Sequence, residues 1–367
     1  MKPPSTIPPH TLRRWLAAIA EDTRAFQLAD TTPAEPSPAP ADLRAHAVDI
    51  LPDGARRPLR LIVHPFRAIL PQTVLATAPR LAAAGPRRPA SHIHLLAAPF
   101  ISPRVADLCR EHGLGYFDAA GNCRLAAPGL HLSIQGRPNP APAPRPADDP
   151  FAPKSSRVVR ALLEQPHRWW QVQHLAAEMG ISLGLASRIK SALVNQAFAE
   201  TSRDGVRLRD PAALLEAWAA AWTNRARPVP VYSLDPIATL EQRAVQWGLR
   251  QGVPVALAEF SAAARLAPMV RYNRAAVYVA ESPDRDVVAP LLADLDLKIV
   301  DTGATALLWI TADESVFYRA QPLAGLLTVS PLQAYLDLRR NPARGPEAAA
   351  ELLTSTLPPA FARENTR

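Results

Sequence analysis

"WWQVQHLAAEMGISLGLASRIKSALVNQAF" (residues 169–198) decides how the rest of this chain is read. Val172, Leu175, Ala176 and Met179 recur at i, i+3, i+4 and i+7, which lays one apolar stripe along a helix. Gly180 can take the positive φ that ends such a helix, Ile181 plugs the turn, and Ser182 can cap a second helix. In that second helix Leu185, Ile189 and Leu193 fall on one face. Gly184, Ser187, Arg188 and Ser191 fall on the other, with Lys190 to one side. A pair like this is either a reader of DNA or a helical hairpin in an ordinary core.

The flanking residues favour the reader. Upstream, "SSRVVRALLEQPHRWW" (155–170) supplies a first helix whose Val159, Leu162 and Leu163 point inward. Downstream, "AFAETSRDGVRLRD" (197–210) reads as two strands around the turn Arg203–Asp204–Gly205. Three helices followed by a β-hairpin is the winged helix-turn-helix layout, here residues 154–223. Ser187, Arg188, Lys190 and Ser191 would face the major groove, because small and hydroxyl side chains allow close approach while Arg and Lys reach phosphates or guanine edges. Ser182 and Gly184, where that helix starts, join the candidate DNA-binding set. Arg203 and Arg207 would lie on the wing, against the backbone or minor groove.

The charge balance agrees. The formal net charge is +8, with lysine only at Lys2, Lys154, Lys190 and Lys298 and arginine supplying the rest. Part of the arginine, alanine and proline excess is what a GC-rich coding bias produces, but a net positive chain still attracts polyanions. The two cysteines, Cys109 and Cys123, have neither metal-ligand spacing nor a disulfide framework and suit a reducing compartment. The start, "MKPPSTIPPHTLRRWLAAIAEDTRAF", has no apolar signal core, and no run approaches the ~18 apolar residues of a membrane span. The expectation is a soluble cytoplasmic protein with no membrane contact.

At 367 residues, two or three domains are expected. "ADTTPAEPSPAPAD" (29–42) separates an N-terminal helix, His10–Leu28 within residues 1–28, from an α/β domain at 43–137. "GRPNPAPAPRPADDPFAP" (136–153) reads as an extended spacer, with the linker proper at 138–153. "NRARPVPVY" (224–232) closes the middle segment ahead of a C-terminal α/β domain at 230–357, and residues 358–367 form a charged tail. In the first domain "LRLIVHPF" and "HIHLLAAPF" are strands, each followed by a helix (Ala68–Ala84 and Ser102–His112). "LGYFD", "NCRLAA" and "LHLSIQG" are further strands. In the last domain Asp235–Pro236 caps a helix running to Gln251. "AAVYVAE", "LKIVD", "ALLWIT" and "SVFYR" are strands, and "SPLQAYLDLRR" and "GPEAAAELLTST" are closing helices. The fold class is therefore α/β (α+β), multidomain.

"HRWWQVQHLAAEMGISLGLASRIKSAL" followed by "LLEAWAAAW" resembles the winged-helix part of the AbiEi antitoxin family of type IV toxin–antitoxin systems, in its three-domain branch. "GLGYFDAAGNCRL", "LHLSIQGRPNP" and "VSPLQAYLDLRRNPARGPEAAAELL" are similar to the same branch, which extends the resemblance from about residue 45 to 357. It implies a DNA-binding transcriptional regulator that represses its own promoter and opposes a nucleotidyltransferase-like toxin, with flanking domains for homodimerisation or sensing. Double-stranded DNA is the expected partner, with single-stranded DNA as the variant. Two other readings stay open: a nucleic-acid-processing enzyme using the N-terminal domain, and a protein-interaction antitoxin that never touches DNA.

Catalysis is not expected, nor is a cofactor or a metal. The N-terminal domain loosely resembles the restriction-endonuclease-like fold, yet "LRLIVHPF" and "HIHLLAAPF" carry neither the acids nor the lysine that hold a catalytic cation. Asp118 in "YFDAAGN" could ligate a metal, but Asp118, Gly121 and Asn122 read better as a tight turn. His92 and His94 share a strand face without a nearby Cys or acid pattern, and Ser102 reads as a helix cap rather than a nucleophile. In "NPARGPEAA", Arg344 and Glu347 could meet a partner or nucleotide, but a helix start with a local ion pair explains them better. Arg265, Arg271 and Arg274 could extend a basic surface.

Overall fold

A computed structural model describes residues 7–29, 43–83, 92–127, 129–141, 149–267, 272–281, 284, 286–342, 344–357 and 361. The chain divides into two compact units, Met1–Ala147 with Val194–Ala197, and Asp148–Leu193 with Phe198–Arg367. Most of the 29–42 stretch, residues 142–148 of the linker and nearly all of the 358–367 tail lie outside the described residues.

The first unit opens with α1 (Pro9–Thr23), which buries Leu12, Leu16 and Ile19 along one stripe. The expected helix to Leu28 ends early because Arg24 turns left-handed at φ 54° and its N–H closes on Ala20 O. The chain then runs as β1 (Phe26–Leu28) antiparallel to β2 (His46–Pro52). Next come β3 (Leu59–Pro65), α2 (Pro71–Ala83), β4 (His92–Ala98), α3 (Pro103–Glu111), β5 (Gly115–Asp118), β6 (Cys123–Ala127) and β7 (Leu130–Ile134). All seven strands form one sheet in chain order. β3, β4 and β5 are parallel, joined by helical crossovers, and every other pairing is antiparallel. Successive residues of the central strands serve opposite faces. Leu95, Ala97 and Phe117 pack in the core with α1, while Leu96, Ala98 and Tyr116 pack with α2 and α3. Ser102 caps α3, accepting from Val105 N, as its place before a proline suggested.

The second unit begins with α4 (Ser156–Glu164), α5 (Val172–Glu178), α6 (Leu183–Asn195) and the hairpin β8 (Ala199–Ser202)–β9 (Gly205–Leu208). It continues through α7 (Pro211–Ala221), β10 (Arg227–Tyr232), α8 (Ile237–Gln251), β11 (Val255–Leu257), α9 (Glu259–Leu266) and β12 (Ala275–Ala280). The closing elements are α10 (Val288–Asp294), β13 (Lys298–Ile299), β14 (Ala306–Thr311), β15 (Gln321–Leu323), β16 (Leu326–Thr328), α11 (Pro331–Arg339) and α12 (Gly345–Ser355). The seven-stranded mixed sheet runs β13-β10-β14-β12-β11-β16-β15. Leu240, Ala244 and Trp247 of α8 and Leu291 of α10 pack with Val229, Val277 and Val279 in one core. α9 packs on β12, and α11 packs on α9 and α12.

Three expectations are corrected here. The "RPVPVY" stretch is not a break but β10, paired with β14 through five residues. Its prolines are tolerated because Pro230 O points to Val300 N on the short β13 side, whereas Val231 O meets Thr305 N on the β14 side. The missing N–H groups of Pro228 and Pro230 thus face the side where only a two-residue edge strand pairs. "SVFYR" is no strand: Glu314–Phe317 forms a single 3-10 turn, capped by Asp313 accepting from Ser315 N. Pro236, not Asp235, stands at the α8 cap, and Asp235 instead pairs with Arg243.

Candidate nucleic-acid interface

The turn between α5 and α6 forms as its residues dictate. Gly180 sits at φ +61°, where a residue with a Cβ is disfavoured, and Ser182 Oγ accepts from Leu185 N. Leu175, Ala176 and Met179 are buried under α5, and Val159, Leu162 and Leu163 under α4. On α6 the buried stripe is Ala186, Ile189 and Leu193, so the helix is rotated slightly from the expected Leu185-centred face. Leu185 is only half-buried and Lys190 is half-buried beside the stripe.

Ser182, Gly184, Ser187, Arg188 and Ser191 lie at the start or on the outer face of α6. All five are exposed, and Ser191 Oγ donates to Ser187 O at 3.0 Å. The hairpin carries the two wing candidates on a different element. Arg203 stands at its tip with a side chain 95% exposed, beside Asp204. Arg207 is not an open cation: its guanidinium lies 4.5 Å from the Trp169 ring centroid and donates to Glu200 Oε1.

The tryptophans are the part of this region that periodicity did not find. Trp170 N donates to Val206 O at 2.8 Å and Val206 N donates back to Trp170 O at 2.9 Å, so Trp170 adds a third, one-residue strand to the hairpin. Gly205 permits this approach at φ +122°. Arg168 stacks over the Trp170 ring at 3.7 Å. The signal available in the sequence was the Trp–Trp pair abutting an arginine on one side and facing an Arg–Asp–Gly turn on the other. The result is a pair of arginines, Arg168 and Arg207, each over a tryptophan ring, with Arg203 exposed at the hairpin tip, a surface type that suits a phosphate backbone.

The other candidates fall away from any catalytic arrangement. Asp118 is buried and accepts from Asn122 N, Asn122 Nδ2 and Ile101 N, each at 2.9 Å, with Gly121 at φ +88°. Its lone pairs serve the turn. His94 meets His64 on the neighbouring strand: the rings stack, and His64 Nε2 lies 3.0 Å from His94 Nδ1. Burial, then the neighbouring His94, holds His64 down to about 4. Among the described residues no group of three His, Cys, Asp or Glu side chains could hold a metal ion. Burial pushes the Cys109 and Cys123 thiols up to about 12, which makes them inert. Arg344 pairs with Glu347 at the start of α12, as a local helix-start pair would. Arg265 does not extend a basic surface, because it is tied to buried Glu241. Arg274 is exposed, and Arg271 lies outside the described residues.

The segment from β9 to the end of α12 carries the family match. Residues 207–357 match the AbiEi antitoxins, transcriptional regulators of type IV toxin–antitoxin systems. The match bears out the AbiEi resemblance over α7, the mixed sheet and its helices, and leaves α4–α6 outside the matched residues. No curated protein and no solved structure matches the chain significantly. No helix among the described residues is long and apolar enough to cross a membrane.

Proposed function

We propose that this chain is a DNA-binding transcriptional regulator of the AbiEi antitoxin type, working in the cytoplasm, with α4–α6 and β8–β9 as its winged helix-turn-helix. The observation that carries the reading is the exposed Ser182–Gly184–Ser187–Arg188–Ser191 face of α6 beside a hairpin whose Arg203 is fully presented. A family match to transcriptional regulators immediately downstream supports it. In this reading α6 enters the major groove of double-stranded DNA, Arg188 and Lys190 reach base edges or phosphates, and Arg203, Arg207 and Arg168 contact the backbone beside it. The N-terminal unit has a non-catalytic role, sensing or homodimerisation, since Asp118 is spent on its turn. Autorepression of an operon shared with a nucleotidyltransferase-like toxin completes the proposal.

Fluorescence anisotropy with the double-stranded region upstream of its own gene, a scrambled duplex and the matching single strand tests it. Preferential binding of the native duplex with a steep salt dependence is expected. Equal, salt-insensitive and weak binding to all three would overturn it in favour of a protein-interaction antitoxin. Magnesium- or manganese-dependent cleavage of these probes would favour an enzyme instead.

A further inference from the structure

Arg160 lies in α4, the first helix of the proposed DNA-binding module, yet its side chain is buried against the C-terminal part of the same unit, 1% exposed. Nη2 donates to Gln333 Oε1 on α11 at 2.7 Å, and the guanidinium lies 5.1 Å from the Trp218 ring centroid. Gln333 Nε2 in turn donates to Asp337 Oδ1 at 2.8 Å and to the Tyr278 hydroxyl at 3.2 Å. Tyr278 donates to Asp337 Oδ1 at 2.9 Å and accepts from Asn224 Nδ2 at 3.0 Å, just beyond α7. One buried polar chain therefore links α4, α11, β12 and the segment after α7.

The chain is only partly satisfied. Nε and Nη1 of Arg160 and Oδ2 of Asp337 have no hydrogen-bond partner among the described residues. Burying an arginine in this way costs stability that an apolar side chain of similar size would not, so stability alone does not explain it. Asp337 is the group whose charge can change under mild conditions. Burial, then the hydrogen bonds and charges around it, leaves its carboxyl raised to about 7. The groups acting on this cluster are Arg160 and Glu164 from α4, Tyr278 from β12, Glu259 from α9 and Asp313 ahead of the 3-10 turn. Glu164 and Glu259 are themselves raised by burial.

We infer that this network is a proton-operated latch on the DNA-binding module. Ionised Asp337, reached through Gln333, adds its negative charge to the pull that keeps Arg160, and with it α4, against α11, while protonated Asp337 withdraws that charge and loosens the module. The inference rests on the reading of α4–β9 as the DNA-binding element and names how the C-terminal sheet would regulate it.

Asp337→Asn keeps the shape and removes the charge. DNA affinity of the full chain for the upstream duplex, and hydrogen exchange of α4–α6 without DNA corrected for intrinsic rates, are measured from pH 5.5 to 8.5. Wild type and D337N should coincide at pH 5.5 and separate above pH 7, wild type binding about 5-fold or more tighter and protecting α4 better. Gln333→Met, which cuts the link and keeps the carboxyl while removing one of its donors, should lose the same step and serves if D337N folds poorly. Parallel wild-type and D337N curves at every pH overturn the latch. A protection step in α4 that vanishes in D337N, with no DNA bound by either protein, upholds the latch and overturns the DNA reading. DNA binding without such a step overturns the latch alone.

Discussion

Gly205 approaches Trp170 so closely that a Cβ added to it would lie 2.1 Å from the Trp170 carbonyl oxygen. That approach is what lets Trp170 exchange both backbone hydrogen bonds with Val206 and tie the hairpin to the start of α5. The hairpin is thereby part of the helical module rather than a loose excursion from it.

Gly205→Ala should therefore act at a distance from any ligand. It combines a strained φ with a clash against backbone, so destabilisation of about 1–3 kcal/mol is expected. Thermal unfolding measures it. An unchanged melting temperature would show that the Trp170–Val206 bridge does not restrain the hairpin.

Arg203 and Arg207 should separate when each is replaced by alanine. Arg203 is solvated at the tip, so R203A should weaken DNA binding and leave the stability within about 0.5 kcal/mol of wild type. Arg207 also packs on Trp169 and pairs with Glu200, so R207A should lower stability as well, by about 0.5–1 kcal/mol for the missing cation–ring attraction. Equal effects of the two on stability would contradict the geometry.

On α6, Arg188→Ala should reduce DNA affinity more than Lys190→Ala, because Lys190 is half-buried beside the Ile189 stripe. Removing one cation that neutralises a phosphate should reduce the steepness of log K against log salt by about 0.9. A salt titration of both variants reads this directly. An unchanged slope in R188A would remove Arg188 from the interface.

Asp118→Asn places an amide N–H against the Asn122 and Ile101 donors. A loss of about 1–3 kcal/mol in the N-terminal unit is expected, with no change in the fate of DNA incubated with magnesium or manganese. Cleavage by wild type that D118N abolishes would instead make Asp118 a metal ligand.

The pH dependence of the N-terminal unit should carry the mark of His64. Its Nδ1 donates to Arg44 O, which leaves Nε2 to accept from His94, an arrangement that needs the neutral ring. A base depressed from about 6.5 to about 4 contributes stability that is complete above 6.5 and is lost as pH falls from 6.5 toward 4. The slope is at most about 1.4 kcal/mol per pH unit. Denaturant melts of His64→Gln across pH 4–7.5 should show a flatter acid limb than wild type. An identical limb would mean that His64 takes up no proton on unfolding.

What could be read directly from residues were the local devices. Gly180 and Ser182 specify a helix end and a helix start by backbone freedom and a hydroxyl acceptor, and both act within three residues of themselves. The same holds for the Asp118–Gly121–Asn122 turn, the Ser102 cap and the Arg344–Glu347 pair. Alternation and short apolar runs likewise located β3 to β7 and β12 and β14, because burial on two faces of a sheet leaves its period in the chain.

Tertiary structure decided the features whose partners are far away in sequence. β10 carries prolines that argue against a strand until the neighbouring β13 is seen to need few of its N–H groups. Arg24 ends α1 early because Phe26 is captured by β2 and the core beneath it. Arg265 looks like surface charge until Glu241, 24 residues away, is found buried beneath it. Trp170 becomes a strand only against Val206, and Arg160, one more arginine in an arginine-rich chain, becomes an interior group only because Gln333 lies 173 residues further on. By itself the sequence determined two helices joined by a tight turn and an arginine-bearing hairpin after them. Which of its cations remain open to solvent, and which are bound into the interior, follows from long-range packing and desolvation that no local pattern encodes.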